Sequence, residues 1–330
     1  MKSGLRLLAI CFVTLITPVV TATPSCAAAT QPSHHLALTA YMRRQWYHYD
    51  HDLPLNSQVE PLDTLPSARR YLVTYTSIHD QRITGILAIP LHGHAPYPCI
   101  LLMHGSGGSK DTSYIKTSSI ALTQLGYATF SIDAQYCGAR KLPDRNGDIF
   151  LPDSYTSRDA WVQTVVDLRR AVDYLQSRND IDGKHLGYLG FSMGAMLGSV
   201  FGGVDKRVSV FCLAVPGGAL EQVVKHISQY PFLEEHWPVK VTPQVMRIVH
   251  NVTEITDPVH FVGLISPRPM FIITAKFDQV IPPESSKALV SAARVDPHLI
   301  VEQVDASHVL NPMIIFTIRA WFMKVMPAEK

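Results

Sequence analysis

Apolar positions along the chain fall into short unbroken runs set between stretches with helical spacing. The runs Cys99–His104, Tyr127–Ile132, His185–Leu189, Val208–Val215, Met270–Ala275 and Leu299–Val304 are apolar or β-branched almost throughout. Runs of that kind, without polar alternation, are expected of parallel strands covered on both faces. Ahead of them, Arg70–Thr76 and Arg82–Pro90 flank a polar turn at His79-Asp80 and predict an antiparallel hairpin at a sheet edge. The clearest helix is 157–177, where Trp161, Val165, Leu168, Val172 and Leu175 recur at helical spacing. Thr156 with Asp159 reads as a capping box at its start. Asp167, Arg169, Arg170 and Asp173 fall on other positions and are expected on a solvated face. Strands alternating with helices predict one α/β domain over 30–330, built on a mostly parallel, doubly wound sheet with right-handed crossovers.

Two stretches break the rhythm. Residues 30–68 carry a helical patch near Leu36 to Trp46 and then a proline-punctuated segment, which predicts an N-terminal extension packed on the main domain. Between the runs ending near Pro216 and starting near Pro269 lie about 50 residues, far more than an ordinary crossover. Helix-like patterns at Ala219–Tyr230 and Gln244–Val252 predict a helical cap insertion over 217–267. It would cover the carboxyl ends of the strands, where ligands bind in open α/β sheets.

Composition changes this picture only at the N-terminus. Of the 330 residues, 47% are hydrophobic and 17% charged, which describes an ordinary globular chain. Lys2 and Arg6 precede an apolar stretch from Leu7 to Val20, and small residues lead on to Ala27-Ala28-Ala29. That order predicts a secretory signal peptide over 1–29, and Pro18 within a short apolar stretch argues against a retained membrane anchor. Loss of Lys2 and Arg6 takes the formal charge from +2 to zero. No basic patch then remains to suggest nucleic acid. Cys99 and Cys212 lie in apolar runs and read as buried packing residues, and three surviving cysteines make no disulfide framework. His34, His35, His48 and His51 lack the spacing of a metal site. Asn251-Val252-Thr253 is one glycosylation acceptor pattern.

The chemistry centres on Gly190-Phe191-Ser192-Met193-Gly194, which lies between an apolar run and a small-residue helix start. The pentapeptide alone occurs by chance in loops. Between a strand and a helix it predicts a sharp turn that projects a nucleophilic serine out of the sheet. A serine hydroxyl needs a base, and the base needs an orienting acid. Asp278 follows the run Phe271–Ala275, and His308 follows the last run, so both are expected on loops at strand ends in the order Ser, Asp, His. Asp305 is a rival acid only three residues from His308. The oxyanion would take the backbone N–H of Met193 and a second donor from Gly105-Ser106-Gly107-Gly108, assigned to Ser106. That turn lacks the Gly-Lys-Ser/Thr ending of a P-loop, which argues against nucleotide binding.

His104-Gly105, the Gly190–Gly194 pentapeptide, Pro267-Arg268-Pro269, Asp278 and His308 resemble the α/β-hydrolase superfamily. The likeness covers roughly residues 70–320, and its nearest branch is the dienelactone-hydrolase-like and acetyl xylan esterase-like secreted hydrolases. The resemblance implies Ser192, Asp278 and His308 as a triad, with Met193 and Ser106 as oxyanion donors. Serine stands where dienelactone hydrolases proper have cysteine, which favours ordinary esters. The expected activity is a secreted serine esterase acting on small-molecule esters, short acyl chains foremost, with no cofactor or metal. The competing expectations are a peptidase of the same fold and a catalytically silent binding protein on this scaffold.

Overall fold

The apolar runs form the centre of a nine-stranded sheet in the order β1-β2-β3-β5-β4-β6-β7-β8-β9. The computed structural model describes residues 34–143, 147–149, 154–229, 241–294 and 297–328. The strands are β1 (Gln58–Leu65), β2 (Ala68–Thr76), β3 (Arg82–Pro90), β4 (Tyr97–Met103), β5 (Ala128–Ile132), β6 (Ile181–Phe191), β7 (Val210–Ala214), β8 (Met270–Ala275) and β9 (Leu299–Val304). β1, β2, β3 and β5 pair antiparallel in succession, and every pairing from β5 through β4 to β9 is parallel.

Successive side chains on a strand point to opposite faces, so one strand feeds two cores. On β4, Ile100 and Leu102 pack with Leu122 of α2 (Ser113–Thr123) and with Ile318 and Phe322 of α8 (Ile314–Val325). Cys99, Leu101 and Met103 join the opposite core, built with α3 (Ser154–Gln176), α4 (Met193–Val204) and α7 (Pro283–Ala293). This is the doubly wound α/β-hydrolase arrangement. All three cysteines among the described residues are buried and free.

Several expectations need correction. The stretch 30–68 is not merely an attachment: besides α1 (His34–Gln45) it supplies β1, the edge strand beside the predicted hairpin. Its polar sequence is exposed on almost every position, so it carries no burial signal. β9 at the other edge is not covered on both faces, since Ile300 and Val301 are exposed. α3 begins at Ser154, which places Thr156 inside the helix and not at a capping position.

The presumed solvated face of α3 is buried as well: Asp167 is fully enclosed and Arg170 is 1% exposed. Arg140 pairs with Asp167 at 2.7 Å, and Arg170 pairs with Asp173 at 2.8 Å. Arg170 also donates to the carbonyls of Leu53 and Thr76. Buried charges survive when partners of this kind satisfy them. The ion partner of Asp167 and two acceptors of Arg170 come from chain outside α3, which no helical pattern reveals.

Of the 217–267 insertion, α5 (Leu220–Ile227) lies toward the carboxyl ends of the strands. α6 (Pro243–Thr256) packs against α3, and its Glu254 binds Arg43 at 2.5 Å. The acceptor pattern at Asn251 sits inside α6 with Thr253 buried, which is not the exposed loop such a site needs. The predicted signal segment lies outside the described residues.

Candidate active site

β6 ends at Phe191 and α4 starts at Met193, so Ser192 alone makes the turn. Its φ of 52° is a conformation that L-residues with a Cβ adopt only under strain. The strain is held by packing. The backbone N–H of Ser192 donates to the carbonyl of Ala214 at 2.8 Å, tying the turn to the end of β7. A Cβ on Gly190 would stand 2.4 Å from the Gly194 carbonyl oxygen, and one on Gly194 would stand 2.3 Å from that of Met103. Both positions therefore require glycine, because backbone on each side leaves nothing that can give way.

Loops after β8 and β9 deliver the other two residues. Asp278 follows β8, and its Oδ1 accepts the backbone N–H groups of Val280 at 2.9 Å and Ile281 at 2.8 Å. Those bonds fix the carboxylate before it meets any partner. His308, after β9, places Nδ1 2.8 Å from Asp278 Oδ2 and Nε2 2.8 Å from Ser192 Oγ. A carboxylate only accepts, so Nδ1–H is the donor and the Nε2 lone pair faces the serine hydroxyl. The tautomer is thus the one that can remove a proton from Ser192. Asp278 is 6% exposed and His308 20%, which leaves the imidazole open on the serine side. The rival acid Asp305 is 78% exposed and pairs with Lys276 at 3.2 Å.

Met193 opens α4, where N–H groups are unsatisfied by the helix itself. Ser106 lies in the turn after β4, and it lines a single cavity of about 450 Å³ together with Met193, Ser192 and His308. Three side chains support that turn: His104 belongs to the His104-Gly105 motif, whereas Tyr114 and Asp148 carried no recognisable pattern in the sequence. Buried His104 accepts the Ala134 N–H on Nε2 and donates from Nδ1 to the Gly105 carbonyl at 2.7 Å. Burial lowers its pKa, which favours this neutral state. The Tyr114 hydroxyl accepts the Gly105 N–H at 2.8 Å, and the Ser106 hydroxyl donates to buried Asp148. Their spacing along the chain is irregular, so only the folded turn brings them together.

The parallel sheet, the strained serine turn and the strand-end loops define an α/β-hydrolase. Comparison with known proteins sharpens that class. The acetyl xylan esterase (AXE1) family matches residues 44–284, so the chain belongs to that family and is a carboxylic ester hydrolase. The match includes Ser192 and Asp278 and stops short of His308. YtaP of Bacillus subtilis (strain 168), named as a hydrolase, is 27% identical over an alignment of 251 positions, and the match covers 68% of this chain and 80% of that protein. An acetyl xylan esterase from Paenibacillus sp. R4 superposes with a TM-score of 0.71 at 18% identity, covering 90% of this chain and 96% of that one. Acetyl xylan esterase 1 from Thermoanaerobacterium sp. JW/SL YS485 superposes with a TM-score of 0.70 at 12% identity, covering 89% and 93%. At such identities the two structures speak to the fold alone.

Among the described residues, no helix is long and apolar enough to cross a membrane.

Proposed function

We propose that the chain is an exported serine esterase working through Ser192, His308 and Asp278. Ser192 Oγ attacks the ester carbonyl carbon as its proton passes to His308 Nε2. Asp278 stabilises the imidazolium that forms. Negative charge on the carbonyl oxygen meets the backbone N–H groups of Met193 and Ser106. His308 then gives the proton to the departing alcohol oxygen, leaving an acyl group on Ser192. Water, deprotonated by the same imidazole, releases the acid and restores the serine. The observation carrying this reading is the continuous pair of 2.8 Å hydrogen bonds from Ser192 through His308 to Asp278, opening on the cavity. Export rests on the n-region, apolar stretch and Ala27-Ala28-Ala29 order of the first 29 residues. Esters are favoured over peptides because alcohols leave more readily than amines, in keeping with the acetyl xylan esterase family match.

An organophosphonate probe tests the assignment. It should label Ser192 covalently, and Ser192→Ala should abolish both labelling and ester turnover. Labelling at another serine would overturn the nucleophile, a peptide anilide turned over within tenfold of p-nitrophenyl acetate would favour a peptidase, and absence of all turnover would favour a silent scaffold.

A further inference from the structure

The cavity beside Ser192 is larger and more apolar than removal of an acetyl group requires. Its volume is about 450 Å³. An acetyl group displaces on the order of 60 Å³, about two water volumes, and would leave most of that space to solvent. Three parts of the chain supply branched aliphatic side chains to its walls, beside a more polar stretch of α2. Val223 and Ile227 project from α5, Ile281 from the loop that anchors Asp278, and Ile314, Ile315 and Ile318 from α8. No Asp, Glu, Lys or Arg lines the cavity among the described residues. Two of the polar groups it presents are engaged with the backbone. The Tyr114 hydroxyl is held by the Gly105 N–H, and the Ser118 hydroxyl donates to the Tyr114 carbonyl.

That lining suits one kind of guest. A sugar ring brings several hydroxyls, and each one buried without a partner costs desolvation free energy that aliphatic walls do not return. A hydrocarbon chain brings none, and each buried methylene is worth about a fourfold gain in affinity. Binding sites of this volume, mostly apolar with a few convergent polar groups at one end, are typical for small-molecule ligands. Here the convergent groups are Ser192, His308 and the turn at Ser106.

We propose that the cavity holds a medium-length hydrocarbon chain of the ester, about six to eight carbons, which at roughly the 30 Å³ of a water molecule each would fill about half of it. The proposal rests on the serine esterase reading above and replaces the expectation of short acyl chains with a longer, apolar substrate. The ester carbonyl sits at Ser192, and the chain extends between α5 and α8.

Two substrate series test it, each kept below the concentration at which the ester aggregates. In the first, the acyl chain lengthens from p-nitrophenyl acetate to octanoate. In the second, the alcohol lengthens from ethyl to octyl acetate. Burial of even three of the six added methylenes predicts a rise in kcat/KM of about sixtyfold along one series. The series that rises tells whether the chain is acyl or alcohol. If kcat/KM is flat or falls along both, or if an acetylated xylo-oligosaccharide exceeds every member, the proposal is wrong. Ile227→Asp and Ile315→Asp place a charge on the parts of the lining that α5 and α8 contribute. Each should cut the octyl-to-ethyl or octanoate-to-acetate ratio at least about tenfold, a ratio that does not depend on how much protein is folded. An unchanged ratio in both variants would also overturn it. Hydrolysis of acetate with a flat profile sinks only this inference, whereas failure of Ser192→Ala to abolish turnover sinks the reading beneath it.

Discussion

Replacing Asp278 by asparagine alters one atom and should nearly silence the enzyme, for a reason the local geometry makes specific. Oδ1 accepts two backbone N–H groups, from Val280 and Ile281, and lies 3.0 Å from His308 Nδ1, while Oδ2 takes the shorter contact with Nδ1 at 2.8 Å. An asparagine side chain has one oxygen, and the two backbone donors claim it. Its NH2 group must then occupy the Oδ2 position and point at His308. Facing a donor, Nδ1 can only accept, so the proton moves to Nε2. That nitrogen now donates to Ser192 Oγ and can no longer take its proton. Geometry is kept and the tautomer is reversed, which costs about 10⁴-fold in turnover when made in a serine triad. The measurement is kcat/KM for p-nitrophenyl esters at pH 7, with circular dichroism and a thermal melt showing that the variant is folded. Asp305→Asn serves as the control. Asp305 is exposed and bound to Lys276, so its loss should change activity less than about threefold, as expected of a surface ion pair. An Asp278→Asn variant within tenfold of wild type, or an Asp305→Asn variant as inactive as that, would refute the reasoning.

Two further outcomes follow from packing and charge. Gly194→Ala should lower kcat/KM at least a hundredfold and destabilise the fold by about 1–3 kcal/mol, because its Cβ would meet the backbone oxygen of Met103 at 2.3 Å. Gly107→Ala, with open space around it but a φ of +68°, should cost only about 1–2 kcal/mol, and equal behaviour of the two in urea melts and kinetics would discredit the steric argument. Asp205 is 2% exposed. Burial pushes its pKa upward, but bonds from Arg207 and the nearby Arg169 outweigh that and hold it below the ordinary carboxylate value. Its contribution to stability is therefore complete above about pH 4 and is lost as pH falls through the lower folded-state pKa. Arg207→Gln should destabilise by about 2 kcal/mol at pH 7 and by less at pH 3, and a stability gap that is the same at both pH values in urea titrations would contradict this account.

Local sequence determined the elements whose burial is complete and one-sided in composition. β4, β5, β7, β8 and the second half of β6 read directly as apolar or β-branched runs because a parallel strand covered by helices on both faces leaves few polar positions to blur it. The serine turn was equally legible, since the glycines at 190 and 194 are demanded by contacts with chain immediately around them or with the neighbouring strand. Edge strands were harder. β1, Gln58–Leu65, is polar and exposed, and only pairing with β2 makes it a strand. On α3, the charges at Asp167 and Arg170 looked like a solvated face because a helical pattern records the type of residue but not its partner. Arg140 and the carbonyls of Leu53 and Thr76 that satisfy them lie far away in the chain. The choice between Asp278 and Asp305 had the same character. Chain order narrowed it to two carboxylates after Ser192, while Lys276 and the two N–H groups of the turn at Val280 and Ile281 decided which one faces the imidazole. The size and lining of the cavity belonged wholly to tertiary structure: Ile227 and Ile315 are 88 positions apart in the numbering, and a shared wall exists only once α5 and α8 are brought to the same ends of the strands.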